Sequence, residues 1–256
     1  MELTKFIFLT GIKALGLLFL GLLASKAVGA LQSSEARHQR TPAIHWGLYA
    51  VILAAVALGA LTVGYDVAAE TYMRASGRDL ARRDGAGALV NAQRAVELRP
   101  AALRYWQTLS SIKFAQKQYT SAVADAPALR VLAGGKLEEE DAYRLAVSYF
   151  LLGEHGKVHP LTQDLIRDKR AYAAPYVLEG YTLLAEKHYD QASKIFLEVL
   201  RMYPSQQTAV EGLAHVQYLS GNRASALSVL EQTARYPFAP EARRRFEALK
   251  GLYALP

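Results

Sequence analysis

Apolar residues are distributed unevenly along the chain. Between residues 43 and 65 no side chain carries a fixed charge, whereas after Asp66 apolar and charged residues alternate with helical spacing. Residues 46–65 form an uncharged run of 20, which at about 1.5 Å per residue matches the roughly 30 Å hydrocarbon layer of a bilayer. Trp46 and Tyr65 stand at its two ends, and aromatic rings favour the membrane interface. The pattern predicts a transmembrane helix over residues 46–65.

An earlier apolar stretch allows more than one interpretation. Its uncharged core is too short to cross a bilayer as a straight helix, and extending it backwards places Lys13 inside the membrane. A second transmembrane helix over residues 6–25 or 14–31 is the favoured prediction. An interfacial helix and a signal peptide cleaved after the small residues Val28 and Ala30 are the alternatives.

A small residue recurs at a nearly constant interval through the rest of the chain. Ala88, Ala122, Val158, Ala192 and Ala226 are separated by 34, 36, 34 and 34 residues. Other residues recur in phase with them, namely Trp106, Leu109, Tyr119, Leu145, Ala146, Tyr149, Gly153, Gly180, Tyr189, Phe196, Pro204, Leu213, Ala214, Gly221 and Leu230. Such a period is typical of solenoid proteins, whose stacked units bury a continuous core.

In these recurring residues the chain resembles the tetratricopeptide repeat family, whose unit is a pair of helices. The resemblance implies an all-α fold, a solenoid of about five helix pairs over residues 67–238. A capping helix over residues 239–256 is expected to cover the apolar end of the stack. Residues 1–66 are then the membrane anchor, with one or two transmembrane helices. The third repeat departs from the pattern at Val158 and Pro160, which predicts a distortion there.

The resemblance also implies which side chains meet a partner. In this family the second, fifth, ninth and twelfth residues of each first helix line the concave surface. The positions assigned to partner binding are Arg104, Gln107, Phe114, Tyr143, Val147, Phe150, Val177, Tyr181, Leu184, Glu211, His215 and Tyr218. Their aromatic members form a predicted ladder that fits an apolar helix or an extended segment. Burial of these rings in the solenoid core is the alternative.

Positive charge is concentrated in the first half of the chain. Up to Arg130 there are 15 Lys and Arg against 8 Asp and Glu, and afterwards 15 against 15, so the first half accounts for the net charge of +7. Arg74, Arg78 and Arg82 recur every four residues just beyond the apolar run, which predicts contact with anionic lipid headgroups. A solvated helix face is the alternative. Basic residues gather beside the apolar segment and not on a folded face, so no nucleic-acid binding is predicted.

The sequence offers few side chains arranged for catalysis or metal binding. Its lack of cysteine excludes disulfides, thiolate metal sites and cysteine nucleophiles. His155 and His159 are spaced like a helical metal pair, but no third ligand is evident nearby. With no set of nucleophile, base and cofactor in view, the chain is predicted not to be an enzyme and to use neither a cofactor nor a small-molecule substrate.

The predicted function is that of a membrane-tethered scaffold that binds and positions protein partners of an integral-membrane complex. The layout is similar to bacterial inner-membrane repeat proteins that serve polysaccharide export, cytochrome maturation or envelope protein assembly. The alternative is a permanent structural subunit of a large membrane complex, with no separable peptide ligand. Lysine and arginine near the ends of the two apolar segments slightly favour a cytoplasmic repeat domain at the bacterial inner membrane.

Overall fold

A computed structural model describes residues 42–167 and 172–255. The earlier apolar stretch, residues 6–25 or 14–31, lies outside the described residues. Within them every regular element is helical and no strand occurs, in agreement with the all-α prediction. The helices are α1 Pro42–Ala81, α2 Gly85–Leu98, α3 Leu103–Ala115, α4 Tyr119–Ala124, α5 Ala126–Leu132, α6 Glu139–Leu151, α7 His155–Arg167, α8 Ala173–Ala185, α9 Tyr189–Met202, α10 Gln207–Leu219, α11 Arg223–Glu231, a 3₁₀ turn Gln232–Arg235 and α12 Pro240–Ala254.

The first helix, α1, joins the apolar run to the first repeat. It has 40 residues and continues past residue 66 without a linker. Among the described residues its Tyr49–Ala81 part is the one segment long and apolar enough to cross a membrane, judged by length and composition. Leu53 and Val56 on it are about two-thirds exposed, and none of its most apolar stretch is buried against the rest of the chain. Exposing such a continuous apolar surface to water is unfavourable.

The described residues form two compact units, the first ending at Ile112 and the second beginning at Lys113. In the first unit α1 packs against α2 through small side chains, among them the fully buried Ala69 and Ala92. Buried Ser76 of α1 donates a hydrogen bond of 2.8 Å to the carbonyl of Ala88. The two helices approach closely because alanine and serine leave little side-chain volume between them.

In the second unit, which begins at Lys113, one large ring lies inside a cluster of buried residues. Phe196 of α9 is fully buried, and its ring lies against Gly180 of α8 and Gly212 of α10. A Cβ at either glycine would come within 2.7 or 2.4 Å of ring atoms. Three successive helices therefore pack around a single phenylalanine, and the two glycines supply the space for it.

In the part of the chain that the structure describes, each of the five helix pairs turns at a residue with positive φ. In each turn the following N–H donates to the carbonyl five residues earlier, as from Gln118 to Lys113 at 2.9 Å and from His188 to Leu183 at 2.8 Å. The turn residues are Arg83, Lys117, Gly153, Lys187 and Gly221, with φ between 61° and 86°. They are spaced like the small residues that reveal the repeat, because each lies five residues before one of them.

Glycine at the basic turn positions should stabilise the fold. A left-handed backbone costs a non-glycine residue about 1 to 2 kcal/mol, and the extra unfolded-state entropy of glycine offsets about 0.5 to 1 kcal/mol of that. Lys117→Gly and Lys187→Gly are each expected to raise the free energy of unfolding by about 0.5 to 1 kcal/mol, and Gly221→Ala to lower it. Urea unfolding of the detergent-solubilised chain, followed by circular dichroism, measures this. Lower stability in both lysine variants would contradict it.

The distortion predicted for the third repeat is found in the second repeat instead. Helix α7 runs through Pro160 unbroken, because the carbonyl that proline leaves without a donor, that of Gly156, belongs to an exposed residue and can bind water. The second helix of the second repeat is split into α4 and α5, where Pro127 lies in the first turn of α5 and cannot donate to the preceding turn. A buried ion pair, Lys113 with Asp125, lies at this break.

Candidate functional site

Two of the positions predicted to line the concave surface are not available to a partner. Val177 and Leu184 of α8 are 9% and 8% exposed and belong to the core around Phe196. This corrects the expectation for both residues. The helix buries them because α9 and α10 both pack against α8 and cover more of its surface than one apolar face would require.

The predicted surface of the fifth repeat is occupied by the chain itself. Tyr253 of α12 is fully buried, stacks on Tyr218 with ring centroids 4.3 Å apart, and shares a hydrogen bond of 2.9 Å with His215 Nδ1. His215 and Tyr218 are therefore contacts of the capping helix in this structure, which corrects their assignment to an open groove. Glu211, on the same helix, accepts a hydrogen bond of 2.7 Å from Gln207.

The predicted aromatic ladder is divided into separate pairs of rings. Phe114 meets Tyr119 edge to face with centroids 5.7 Å apart, and Phe150 lies 5.5 Å from His155. Tyr181 packs against Phe196, and its hydroxyl donates to the Thr208 carbonyl at 3.0 Å. Burial raises the pKa of Tyr181 to about 12. These rings are half-buried and make packing contacts within the chain.

The remaining predicted positions differ in how open they are. In the first unit Arg104 is exposed and pairs with Glu70 of α1, while Gln107 is half-buried. In the second unit Val147 is half-buried and packs against the core of the third repeat. Arg74, Arg78 and Arg82 are all exposed, and Arg74 lies 3.3 Å from Glu70. None of these placements by itself identifies a ligand.

A concave cleft in the second unit surrounds Tyr143. A cleft of about 810 Å³ is lined by Arg130, Gly135, Lys136, Leu137, Glu138, Glu139, Glu140, Ala142, Tyr143, Pro160, Leu161, Asp164, Leu165 and Tyr172. The Tyr143 ring meets that of Tyr172 edge to face, and burial raises the pKa of its hydroxyl. Its lining has four carboxylates against two cations, and two of the carboxylates, Glu140 and Asp164, also pair with Arg144 and Arg167. The sequence signal for this cleft is the acidic run at the start of α6.

One of the two histidines with metal-pair spacing, His159, is held by carboxylates. His159 of α7 lies between Glu179 and Glu186, with its Nδ1 and Nε2 2.8 and 2.9 Å from their oxygens. Thr162 donates a hydrogen bond to the same buried Glu179. No cluster of three His, Asp or Glu side chains suited to a metal is found in the described part of the chain. The arrangement instead ties α7 to α8 through charge.

This network should make stability depend on pH. Burial lowers the pKa of His159, but the hydrogen bonds and charges of Glu179 and Glu186 outweigh it and leave the pKa raised. A raised folded-state pKa contributes stability that is complete below the unfolded value of about 6.5 and is lost as pH rises through the folded value. His159→Gln should remove this loss. Urea midpoints at pH 6 and pH 9 measure it, and equal pH slopes in wild type and His159→Gln would contradict it.

Comparisons with known proteins bear on the fold. Neither a protein-family model nor a curated protein matches the chain. Among solved structures it is similar to MamA of Desulfovibrio magneticus RS-1, with a TM-score of 0.61 and 14% identity over 66% of this chain and 94% of the other. It is also similar to YrrB, described as a TPR protein with an unusual peptide-binding site, with a TM-score of 0.57 and 18% identity over 69% and 90% of the two chains.

A third similar structure is PilF of Pseudomonas aeruginosa, with a TM-score of 0.54 and 15% identity over 74% of this chain and 90% of the other. Most of the length of each of these structures is matched. At such low identities the likeness establishes a shared fold. The fold is that of a tetratricopeptide repeat solenoid, as the 34-residue period predicted.

Proposed function

From this tetratricopeptide repeat fold we infer that the chain is a non-catalytic scaffold for protein partners, tethered to a membrane by α1. The observation that carries the proposal is a repeat solenoid continuous with an exposed apolar helix. Solenoids of this class offer extended surfaces to other proteins, and tethering raises the effective concentration of a partner at the membrane. The partner is proposed to belong to an integral-membrane complex.

The cleft around Tyr143 is the proposed contact for such a partner. Tyr143 and Tyr172 supply aromatic surface, and Leu137, Leu161 and Leu165 supply the apolar floor. The excess of carboxylates at the rim favours a segment that carries both a large apolar side chain and basic residues. Tyr143, one of the sequence-predicted positions, lines this cleft.

A photo-crosslinker tests the cleft directly. Benzoylphenylalanine in place of Tyr143 should capture a partner in the native membrane, whereas the same group in place of Leu197, about half exposed on α9 and outside the cleft, should not. Charge reversal in Glu138→Lys/Glu140→Lys should reduce the Tyr143 crosslink by about tenfold, because a buried basic contact becomes repulsive. An unchanged crosslink in the reversed variant would argue against the cleft.

Cysteine accessibility tests the tether, since the chain has no cysteine of its own. We expect Leu58→Cys, in the apolar run, to resist a membrane-impermeant maleimide, and Leu80→Cys, near the end of α1, to react from one side of the membrane only. Both should react fully after denaturation. Rapid labelling of Leu58→Cys in intact vesicles would rule out a membrane-embedded α1, and the reactive side for Leu80→Cys decides between a cytoplasmic and a periplasmic repeat domain.

The second candidate function is a permanent subunit of a membrane complex, which contacts its neighbours through its membrane spans or its convex face and has no separable peptide ligand. Deleting residues 1–66 removes the apolar run but keeps the part of α1 that packs on α2. A scaffold should still capture its partner after this deletion, whereas a permanent subunit should be lost from its complex.

A further inference from the structure

The continuity of α1 sets the height of every residue in the first unit above the apolar run. Along an α-helix, Asp66 lies about 1.5 Å beyond Tyr65, Glu70 about 7 Å, Arg74 about 13 Å and Arg78 about 20 Å. The polar headgroup layer on each side of a bilayer is about 5 to 7 Å thick. Of these α1 residues, Asp66 and Glu70 are the ones level with the layer when the span ends at Tyr65.

Two ion pairs bring other parts of the first unit to the same height. Arg99, just after α2, lies 3.0 Å from Asp66, and both side chains are about half exposed. Arg104, in the first turn of α3, pairs with Glu70 and is 63% exposed. These contacts place the loop of residues 99–102 beside the first turns of α1 that follow the apolar run.

An aromatic side chain lies at the same end of the unit. The indole N–H of Trp106 donates a hydrogen bond of 2.8 Å to the carbonyl of Pro100, the residue after Arg99. Trp106 is half-buried, so part of its ring is accessible. Tryptophan, with its apolar body and polar N–H, is one of the residues enriched at membrane interfaces.

We propose that the loop of residues 99–102, together with Arg104 and Trp106, contacts the phospholipid headgroups and seats the first repeat on the membrane surface. The proposal rests on the membrane span of α1 proposed above. It replaces the expectation that Arg74, Arg78 and Arg82 make this contact. Arg74 lies about 6 Å or more beyond the headgroup layer and Arg78 about 13 Å beyond it.

Tilting of α1 in the bilayer does not bring Arg78 to the headgroup layer. An average tilt of about 20° shortens heights along α1 by about 6% and shifts a helix packed about 10 Å to the side by about 3 Å. Both changes are smaller than the gap between Arg78 and the layer. Arg99 and Arg104 also keep donors for lipid phosphate, because a guanidinium has more N–H groups than one carboxylate can accept.

Tryptophan fluorescence in nanodiscs tests the height, because the chain has only two tryptophans. In Trp46→Phe the remaining Trp106 should be quenched strongly by lipids that carry a nitroxide on the headgroup. In Trp106→Phe the remaining Trp46 reports on the span. A Leu80→Trp substitution in a background lacking both native tryptophans should be quenched about threefold less than Trp106, since it lies about 22 Å beyond Tyr65.

The possible fluorescence results distinguish the headgroup contact from the membrane insertion of α1. Quenching of Trp46 without quenching of Trp106 would overturn the headgroup contact and leave the span intact, whereas no quenching of either would overturn both. Quenching of Leu80→Trp equal to that of Trp106 would overturn the height argument.

Native mass spectrometry then tests the guanidinium contacts. Arg99→Gln/Arg104→Gln should retain about half as many anionic lipids as wild type, and Arg78→Gln/Arg82→Gln as many as wild type; the reverse result would overturn the assignment.

Discussion

Replacing Phe196 by alanine is expected to lower the free energy of unfolding of the second unit by about 3 to 5 kcal/mol. The ring is fully buried between Gly180 and Gly212, and it forms a T-shaped pair with Tyr181, with ring centroids 5.2 Å apart. Three helices therefore lose contact with one side chain, and the glycines beside it have no side chains that could move into the cavity. Denaturant unfolding of the detergent-solubilised chain, followed at 222 nm, measures the change.

A complementary pair of substitutions separates packing from general damage to the helices. Gly212→Ala should destabilise by about 1 to 3 kcal/mol, because its Cβ would lie 2.4 Å from the Phe196 ring. Adding Phe196→Leu, which removes the far ring atoms, should recover part of that loss. Gly251→Ala in α12 is the control, since a Cβ there meets no atom within 4 Å. Strictly additive effects of Gly212→Ala and Phe196→Leu would contradict this account.

The second large effect is expected at the break between α4 and α5. Lys113→Met should lower the free energy of unfolding by about 3 to 5 kcal/mol, because it leaves the Asp125 carboxylate buried without its cation. Lys113 Nζ binds both oxygens of Asp125 at 2.8 and 2.7 Å, and each side chain is less than one-tenth exposed. Denaturant unfolding of the full chain, compared with Lys117→Met at a nearby exposed lysine, measures the effect.

Replacing both Lys113 and Asp125 measures the net contribution of the ion pair to the free energy of unfolding. Burial raises the pKa of Asp125 even though Lys113 acts in the opposite direction, so desolvation costs more than the pair recovers. Lys113→Met/Asp125→Leu is therefore expected to unfold within about 1 kcal/mol of wild type or to be more stable. A double variant as unstable as Lys113→Met alone would show that the carboxylate has a separate role at the helix break.

Several features could be predicted from sequence because short-range chemistry determines them. The charge-free run ending at Tyr65 and the 34-residue period of Ala88, Ala122, Ala192 and Ala226 each follow from one type of side chain recurring at one spacing. Ala192 and Ala226 are fully buried, as a residue between two helices must be. Solved structures of the same fold confirm the family resemblance.

The sequence could not decide which of the predicted surface positions are covered, because that depends on which helices pack beside each position. Nothing local to Val177 tells whether α9 and α10 enclose it, and nothing local to Tyr218 tells that Tyr253, more than thirty residues later, stacks on it. Pro160 was a plausible site of distortion by residue type alone. The break occurred at Pro127 instead, where a buried aspartate and lysine meet.

The sequence by itself determined the helical repeat, its period and the apolar rod, since side-chain size, charge and spacing act through neighbours along one chain. Tertiary structure alone decided which aromatic rings stay open, how His159 pairs, and which arginines stand level with the end of the apolar run. Those properties depend on distances between residues remote in sequence, such as Asp66 and Arg99, and they are set only when the helices have packed.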